Sequence, residues 1–292
     1  MKPPPFDYSR PETLDDALAT LHEVGDEGKV LAGGQSLIPL LAFRMARPGH
    51  LIDINRIQGL DGIHLNGSGT LTIGALATHR SIELHRDIGP RCPAIGEAVS
   101  QIGHVAIRNR GTVGGSIAHA DPAAEWPALA LLFDADLRVR SHAGERTLPA
   151  RDMFVSYMTT ALATDELLVE MQFRLPRPEA GTAFVEVSRR HGDFAMAGAG
   201  AVIDIQDGLV TDARIAVMSA GLTAVRAGEA EQMLVGQEAT EQLTTNAAQN
   251  IDSVIDPLDD VHGPADYKRH LAKVVTRRAL QTAAARARGE SA

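Results

Sequence analysis

Two glycine-rich stretches carry the residues best suited to chemistry in this chain. The first, Ala32-Gly33-Gly34-Gln35-Ser36, follows the apolar run Lys29-Val30-Leu31 and precedes an apolar segment that opens at Leu37. A glycine turn between strand and helix leaves backbone N–H groups uncovered, and the helix N-terminus adds partial positive charge. Such a loop could hold a phosphate, with Ser36 as an added hydroxyl donor. A Gly-Gly turn also forms with no ligand at all. The second stretch, Arg110-Gly111-Thr112-Val113-Gly114-Gly115-Ser116, recreates the same backbone-donor nest. Two nests suit the linked phosphates of a dinucleotide, with glycine where a Cβ would block close approach.

Competing signatures fail at defined positions. Gly198-Ala199-Gly200 starts a Rossmann fingerprint, but Ile203 stands where the third glycine belongs, and the stretch precedes a strand predicted over 201–205. No Walker loop is present. Gly34-Gln35-Ser36 matches a nucleophile elbow until Ile38 replaces the closing glycine, which argues against a serine hydrolase. His119 and Asp121 are close enough for a metal pair, yet no HExxH or comparable third ligand accompanies them. A loop-orienting role or a polar cofactor contact suits them better. The single cysteine, Cys92, can form no internal disulfide and cannot supply an iron–sulfur or all-cysteine zinc site.

These loops need elements to hold them. Thr13 and Asp16 resemble an imperfect capping box, and Leu14, Ala17, Leu18 and Leu21 recur at helical spacing until Gly25. A strand over 29–32, a helix over 36–43 and a strand over 51–54 then make a small βαβ unit, its helices about ten residues long. Further on, the pattern predicts strands over 71–75, 137–140 and 167–175, helices over 81–86 and 94–101, and a buried helix over 125–133. Pro176-Arg177-Pro178 with Glu179, Ala180 and Gly181 is the best linker candidate. Beyond it, strands over 182–188 and 201–205 and an Asp207-Gly208 hairpin predict an antiparallel sheet, with helices over 224–234, 241–249 and 266–285. The last helix carries Lys268, Arg269, Lys273, Arg277, Arg278, Arg286 and Arg288, a solvated face or a partner-docking surface.

Composition bounds the function. A chain of 292 residues with 44% hydrophobic content can bury two cores, so disorder and a coiled coil are poor readings. Its 28 Lys and Arg against 37 Asp and Glu give a net charge of −9, which works against tracking nucleic-acid phosphates. The opening Met1-Lys2-Pro3-Pro4-Pro5-Phe6 lacks an apolar core, and no stretch approaches the ~20 apolar residues of a membrane span. The expectation is a soluble, cytoplasmic protein with no transmembrane segment.

The ordered motifs resemble those of a known family, the FAD-binding medium subunits of the carbon monoxide dehydrogenase and xanthine dehydrogenase type molybdenum hydroxylases. The carriers span nearly the whole chain: 32–39, Asp53-Ile54-Asn55, Ile73-Gly74-Ala75, 108–116, 119–125 and 189–195. The resemblance implies an α+β protein: a two-subdomain FAD-binding fold of the vanillyl-alcohol oxidase type over 1–176, with subdomains about 1–56 and 57–176, followed by a sheet-and-helix domain over 177–292. It also implies that Ala32, Gly33, Gly34, Gln35, Ser36 and Leu37, with Gly111, Thr112, Gly114, Gly115 and Ser116, hold the FAD pyrophosphate. Asp121 would bind a ribose or ribityl hydroxyl, while Ile107, Leu168, Asp193 and Phe194 would lie nearer the flavin ring. Gln35 replaces a histidine found in some relatives, and the cysteine-rich insertion that gives others an iron–sulfur cluster on this subunit is absent.

Carried over to function, the resemblance implies an electron outlet. A molybdenum cofactor on a large subunit oxidises substrate, [2Fe–2S] clusters on a small subunit relay electrons, and the FAD of this chain passes them to an external acceptor, in a dimer of heterotrimers. No side-chain nucleophile is then expected, because the flavin carries the chemistry. Two other readings stand beside this one: a self-contained flavin oxidase or dehydrogenase, and a non-catalytic dinucleotide-binding assembly module.

Overall fold

The computed structural model describes residues 2–290, so Met1 and residues 291–292, at the outer edges of the expected domains, lie outside the described residues. The chain begins with β1 (Asp7–Ser9), α1 (Leu14–Val24), β2 (Gly28–Leu31), α2 (Leu37–Ala42) and β3 (His50–Asp53). Their strands form a parallel sheet in the order β1-β3-β2. The predicted βαβ unit is there, joined by β1 at its edge. In α1 the Thr13 hydroxyl accepts from the Asp16 N–H at 3.1 Å and donates to its carboxylate at 2.7 Å. Gly25, at φ 53, ends the helix, and Ala17, Leu18 and Leu21 bury its inner face. The second helix is shorter than expected because Arg44, at φ 59, turns the chain out of the helical conformation.

The next layer is antiparallel. It runs through β4 (Ile63–Leu65), β5 (Thr70–Gly74), α3 (His79–Glu83), α4 (Ile88–Arg91), α5 (Pro93–Gln101), α6 (Val105–Arg108), α7 (Val113–His119) and α8 (Glu125–Leu132). β6 (Asp136–Ser141), β7 (Gly144–Pro149), α9 (Ala150–Met153), the ribbon β8 (Phe154–Ser156) with β9 (Thr159–Thr160), and β10 (Leu167–Arg174) follow. The five-stranded sheet has the order β4-β5-β10-β6-β7. Every residue of α8 is buried, as its all-round apolar sequence predicts.

The remaining chain makes β11 (Gly181–Ser188), β12 (Ala195–Gln206), β13 (Leu209–Met218), β14 (Val225–Arg226), α10 (Gly228–Leu234), α11 (Glu241–Asn250) and α12 (Ala265–Ala287). Its antiparallel sheet has the order β11-β12-β13-β14, and Asp207 (φ 51) with Gly208 (φ 82) forms the predicted hairpin turn. Three expectations change. Gly198-Ala199-Gly200 lies inside β12 rather than ahead of it, where both glycines face the shared core and its side chains fill the space they leave: a Cβ would come within 2.9 Å of Met218 at Gly198 and within 2.7 Å of Leu132 at Gly200. The helix expected over 224–234 starts at Gly228, since Val225 and Arg226 pair with β13 first. The basic residues of α12 are not simply a solvated or docking face. Lys268 is buried against Asp260 and donates to the Leu258 carbonyl at 3.0 Å, while Arg286 donates to Glu97 at 2.7 Å and to the Thr182 carbonyl at 2.6 Å.

One core joins the halves. Leu71, Ile73, Trp126, Leu129 and Phe173 pack in the same cluster as Phe184, Val202 and Met218 of the C-terminal sheet. The opposite face of that sheet packs on α10, α11 and α12, with Ile215, Leu234 and Leu280 among its buried residues. Between the halves, Arg177 grips Asp204 with paired hydrogen bonds of 2.8 and 2.6 Å.

Candidate functional site

The first glycine loop leaves β2 and enters α2 with its donors open. The amides of residues 33–37 have no acceptor among the described residues. Gly34, at φ 73, supplies the left-handed turn, and the Gln35 side chain donates to the Gly33 carbonyl at 3.1 Å. Asn55 braces the loop from β3's end, donating to the Ala32 carbonyl at 2.9 Å and to Asp53 at 2.7 Å. Burial pushes the Asp53 carboxyl up, but hydrogen bonds from Tyr8 and Asn55 and the charge of Arg10 outweigh it and hold the group below its ordinary range. Consecutive free amides ending at a helix form an anion nest.

Most amides of the second glycine stretch are bonded within the chain. Gly111 donates to the Ile107 carbonyl at 2.7 Å, Val113 to Ala77 at 2.9 Å and Gly114 to Ala75 at 3.0 Å. Thr112 caps α7, taking the Gly115 N–H on its hydroxyl at 3.1 Å and the Ser116 N–H on its carbonyl at 3.0 Å. Most of these amides are therefore already satisfied, and the Thr112 N–H and the Ser116 hydroxyl are the donors of this segment with no acceptor among the described residues. Its glycines allow close packing: a Cβ at Gly114 would come within 2.6 Å of Ala75 and one at Gly111 within 2.7 Å of the His79 ring. A Cβ at Gly33 would overlap the Arg110 carbonyl, so the two loops meet face to face. His79 is buried beneath them and accepts from the Trp126 indole at 3.0 Å. Burial, then the charge of Arg108, pushes its pKa down to about 4, leaving a neutral ring.

The other predicted residues sort into distinct places. Asp121 is half-buried just beyond α7; one carboxylate oxygen takes the Ala123 N–H at 2.9 Å and the other has no partner among the described residues. Ile107 is half-buried on α6. Asp193 and Phe194 sit on the exposed turn before β12, Phe194 being 64% exposed. That turn meets α6, since a Cβ at Gly192 (φ 88) would lie 2.6 Å from His104. Leu168 is set apart: its side chain packs in the shared core.

Two residues were given no role by the motifs, although Glu125 closes the 119–125 stretch. Glu125 opens α8, and burial followed by the charges of Glu186 and Asp121 raises its carboxyl well above the ordinary range. Glu186, on β11, is pushed by burial to about 7, and its Oε2 is buried without a hydrogen-bond partner. Their signal was present as charge within otherwise apolar runs. No group of three or more His, Cys, Asp or Glu among the described residues could hold a metal.

An open amide nest walled by a glycine-packed helix start is the geometry to set beside known proteins. The profile of the FAD binding domain in molybdopterin dehydrogenase matches residues 4–178, and that of the CO dehydrogenase flavoprotein C-terminal domain matches residues 182–283. This chain belongs to that flavoprotein family. It is 41% identical over 289 residues to the 6-hydroxypseudooxynicotine dehydrogenase complex subunit alpha of Paenarthrobacter nicotinovorans, covering 99% of this chain and 97% of that one. To the carbon monoxide dehydrogenase medium chain of Hydrogenophaga pseudoflava it is 36% identical, covering 98% and 99%. The solved carbon monoxide dehydrogenase of that organism superposes with a TM-score of 0.95 at 38% identity, covering 98% and 99%; quinoline 2-oxidoreductase from Pseudomonas putida 86 gives 0.92 at 35%, covering 98% and 99%. The flavoprotein is thus an FAD-binding oxidoreductase subunit with the expected α+β fold. The free amides of residues 33–37 fit a pyrophosphate, and the unpartnered Asp121 oxygen fits a sugar hydroxyl.

Proposed function

We propose that this flavoprotein is the electron outlet of a molybdenum hydroxylase. The observation that carries the reading is the row of acceptor-free amides at residues 33–37, on a chain whose full length is shared with medium subunits of such dehydrogenases. Residues 1–176 hold FAD and residues 177–292 close over it. The amides of Gly33, Gly34, Gln35, Ser36 and Leu37 take the pyrophosphate, Asp121 accepts from a sugar hydroxyl, and Ile107, Asp193 and Phe194 border the ring end. FAD, held without a covalent bond, supplies the conversion between one-electron and two-electron transfer. The chain's part is to orient the cofactor and limit water around it.

Electrons reach this chain from a molybdenum centre on a large subunit through [2Fe–2S] clusters on a small one and leave to an external acceptor, in a cytoplasmic dimer of heterotrimers. Two features support the division of labour. One cysteine cannot hold a cluster. Relatives of 41%, 39% and 36% identity carry the names of a 6-hydroxypseudooxynicotine, a caffeine and a carbon monoxide dehydrogenase, so dissimilar substrates go with similar flavoproteins. Substrate choice therefore belongs to another chain.

The test is to reconstitute the complex and follow flavin absorbance after adding the large subunit's substrate, with and without the iron–sulfur chain. Bleaching that requires the iron–sulfur chain is expected. Equally fast reduction of the isolated flavoprotein by substrate would replace this reading with a self-contained oxidase.

A further inference from the structure

We propose that Arg108 is a positioning residue for FAD: its guanidinium locks α6 so that the ring end of the cleft is held in register with the separately braced phosphate loop. The inference rests on the FAD site proposed above. Arg108 is only 5% exposed, yet its donors are well used. Nε and Nη2 form a fork on the Glu83 carboxylate at 3.0 and 3.1 Å. Nη1 donates to the carbonyls of Ile102 at 3.1 Å and Gly103 at 3.0 Å, with Ser100 at the 3.5 Å limit. Those carbonyls belong to the C-terminal end of α5 and the turn after it, where a helix leaves acceptors unpaired. Arg80 donates at 2.8 Å to Glu83 Oε2, the same oxygen that takes Arg108 Nε.

A buried charge is costly unless fully hydrogen-bonded, and this one ties together α3, the end of α5 and its own short helix. The strut it fixes touches both parts of the cleft. At one end, His104 abuts Gly192 of the turn that carries Asp193 and Phe194, and Ile107 packs 2.9 Å from the position of a Cβ on Gly103. At the other, the Ile107 carbonyl takes the N–H groups of Arg110 at 3.1 Å and Gly111 at 2.7 Å, and the Arg110 carbonyl lies against Gly33 of the first loop. The four-residue helix has too few hydrogen bonds of its own to hold this geometry. The amide nest, by contrast, is braced by Asn55 from its own subdomain.

The full-length chain, stripped of flavin, is titrated with FAD and separately with ADP-ribose, which shares the adenosine pyrophosphate but lacks the ring system. In Arg108→Gln, FAD affinity is expected to fall about ten- to a hundredfold, with a smaller loss for ADP-ribose. Glu83→Gln, which keeps the carbonyl contacts, should lose less FAD affinity with the same preference, and it carries the test if the arginine variant does not fold. Bound flavin in both variants should lose vibrational structure in its visible absorption band as the ring end loosens. Parallel losses for the two ligands, or unchanged FAD affinity, would overturn the positioning role and leave Arg108 a fold residue. Wild-type protein that takes up no FAD overturns the parent site reading, and this inference with it.

Discussion

At the residue scale, glycine does two separate jobs. Gly34 supplies a left-handed conformation, whereas Gly33 and Gly114 give up a side chain so that backbones can touch. Gly34→Ala forces a non-glycine residue to φ 73, at a cost of about 1–2 kcal/mol, and should weaken FAD binding with a modest fall in melting temperature. Gly33→Val overlaps the Arg110 carbonyl and should lower both FAD affinity and stability. Losing one or two charge-assisted contacts, at about 1.5–3 kcal/mol each, means roughly ten- to a thousandfold or more in affinity. Flavin titration beside apoprotein melting separates the two effects, and unchanged affinity in both variants would remove the loop from the site. The Glu125–Glu186 pair sets a pH dependence. Glu186 is raised by burial to about 7 from an ordinary value near 4.5, so the folded state binds more protons than the unfolded one between those values. Stability should therefore fall as pH rises from 5 to 8. Glu186→Gln should flatten that slope and stabilise by about 1–3 kcal/mol at pH 8; thermal melts at both pH values decide it.

Elements translate these residues into a cleft. α7 has seven residues, too short to hold itself, and depends on the Thr112 cap and on the Val113 and Gly114 bonds to the segment just after β5. Thr112→Val should cost about 1–2 kcal/mol, while Thr112→Ser should retain most of the stability because the hydroxyl acceptor survives. Equal destabilisation by both would show that methyl packing, not capping, holds the helix. α12 docks the C-terminal sheet through Arg286, whose guanidinium reaches Glu97 on α5 and the Thr182 carbonyl on β11. Arg286→Met removes the donor from the Thr182 carbonyl and the countercharge from Glu97, whose other oxygen keeps the Phe184 N–H, and should destabilise by about 2–3 kcal/mol, read from chemical denaturation.

On the scale of the whole molecule, the shared core decides how the parts behave. Trp126, Leu129 and Leu132 of α8 lie in one cluster with Phe184, Val202 and Met218 of the C-terminal sheet. A fragment ending at residue 176 would uncover that face, and it is expected to melt at lower temperature than the full chain or to associate, which circular dichroism and sedimentation would detect. The intact chain should unfold in one cooperative transition. Two resolved transitions would show that the linker separates independent units.

The sequence by itself determined many of the local elements and the family to which the chain belongs. Apolar periodicity placed α1, α5, α8 and half of the strands, Asp207-Gly208 placed the hairpin, and Gly33-Gly34 marked the loop whose amides are open, because turn chemistry and helix capping act over a few neighbouring residues. Tertiary structure decided what each glycine is for. Whether an amide is free or already bonded can depend on a distant acceptor: Ala77 and Ala75 take the Val113 and Gly114 amides of the second loop, while nothing among the described residues takes those of residues 33–37 in the first. The same dependence explains α12, whose basic residues gain carboxylate and carbonyl partners only on folding, and Arg108, a routine motif position in the chain but a buried hub in space. Spacing along a chain records local geometry. Hydrogen-bond satisfaction and burial are properties of segments that meet from far apart, and those decide which amides of a glycine-rich stretch stay open.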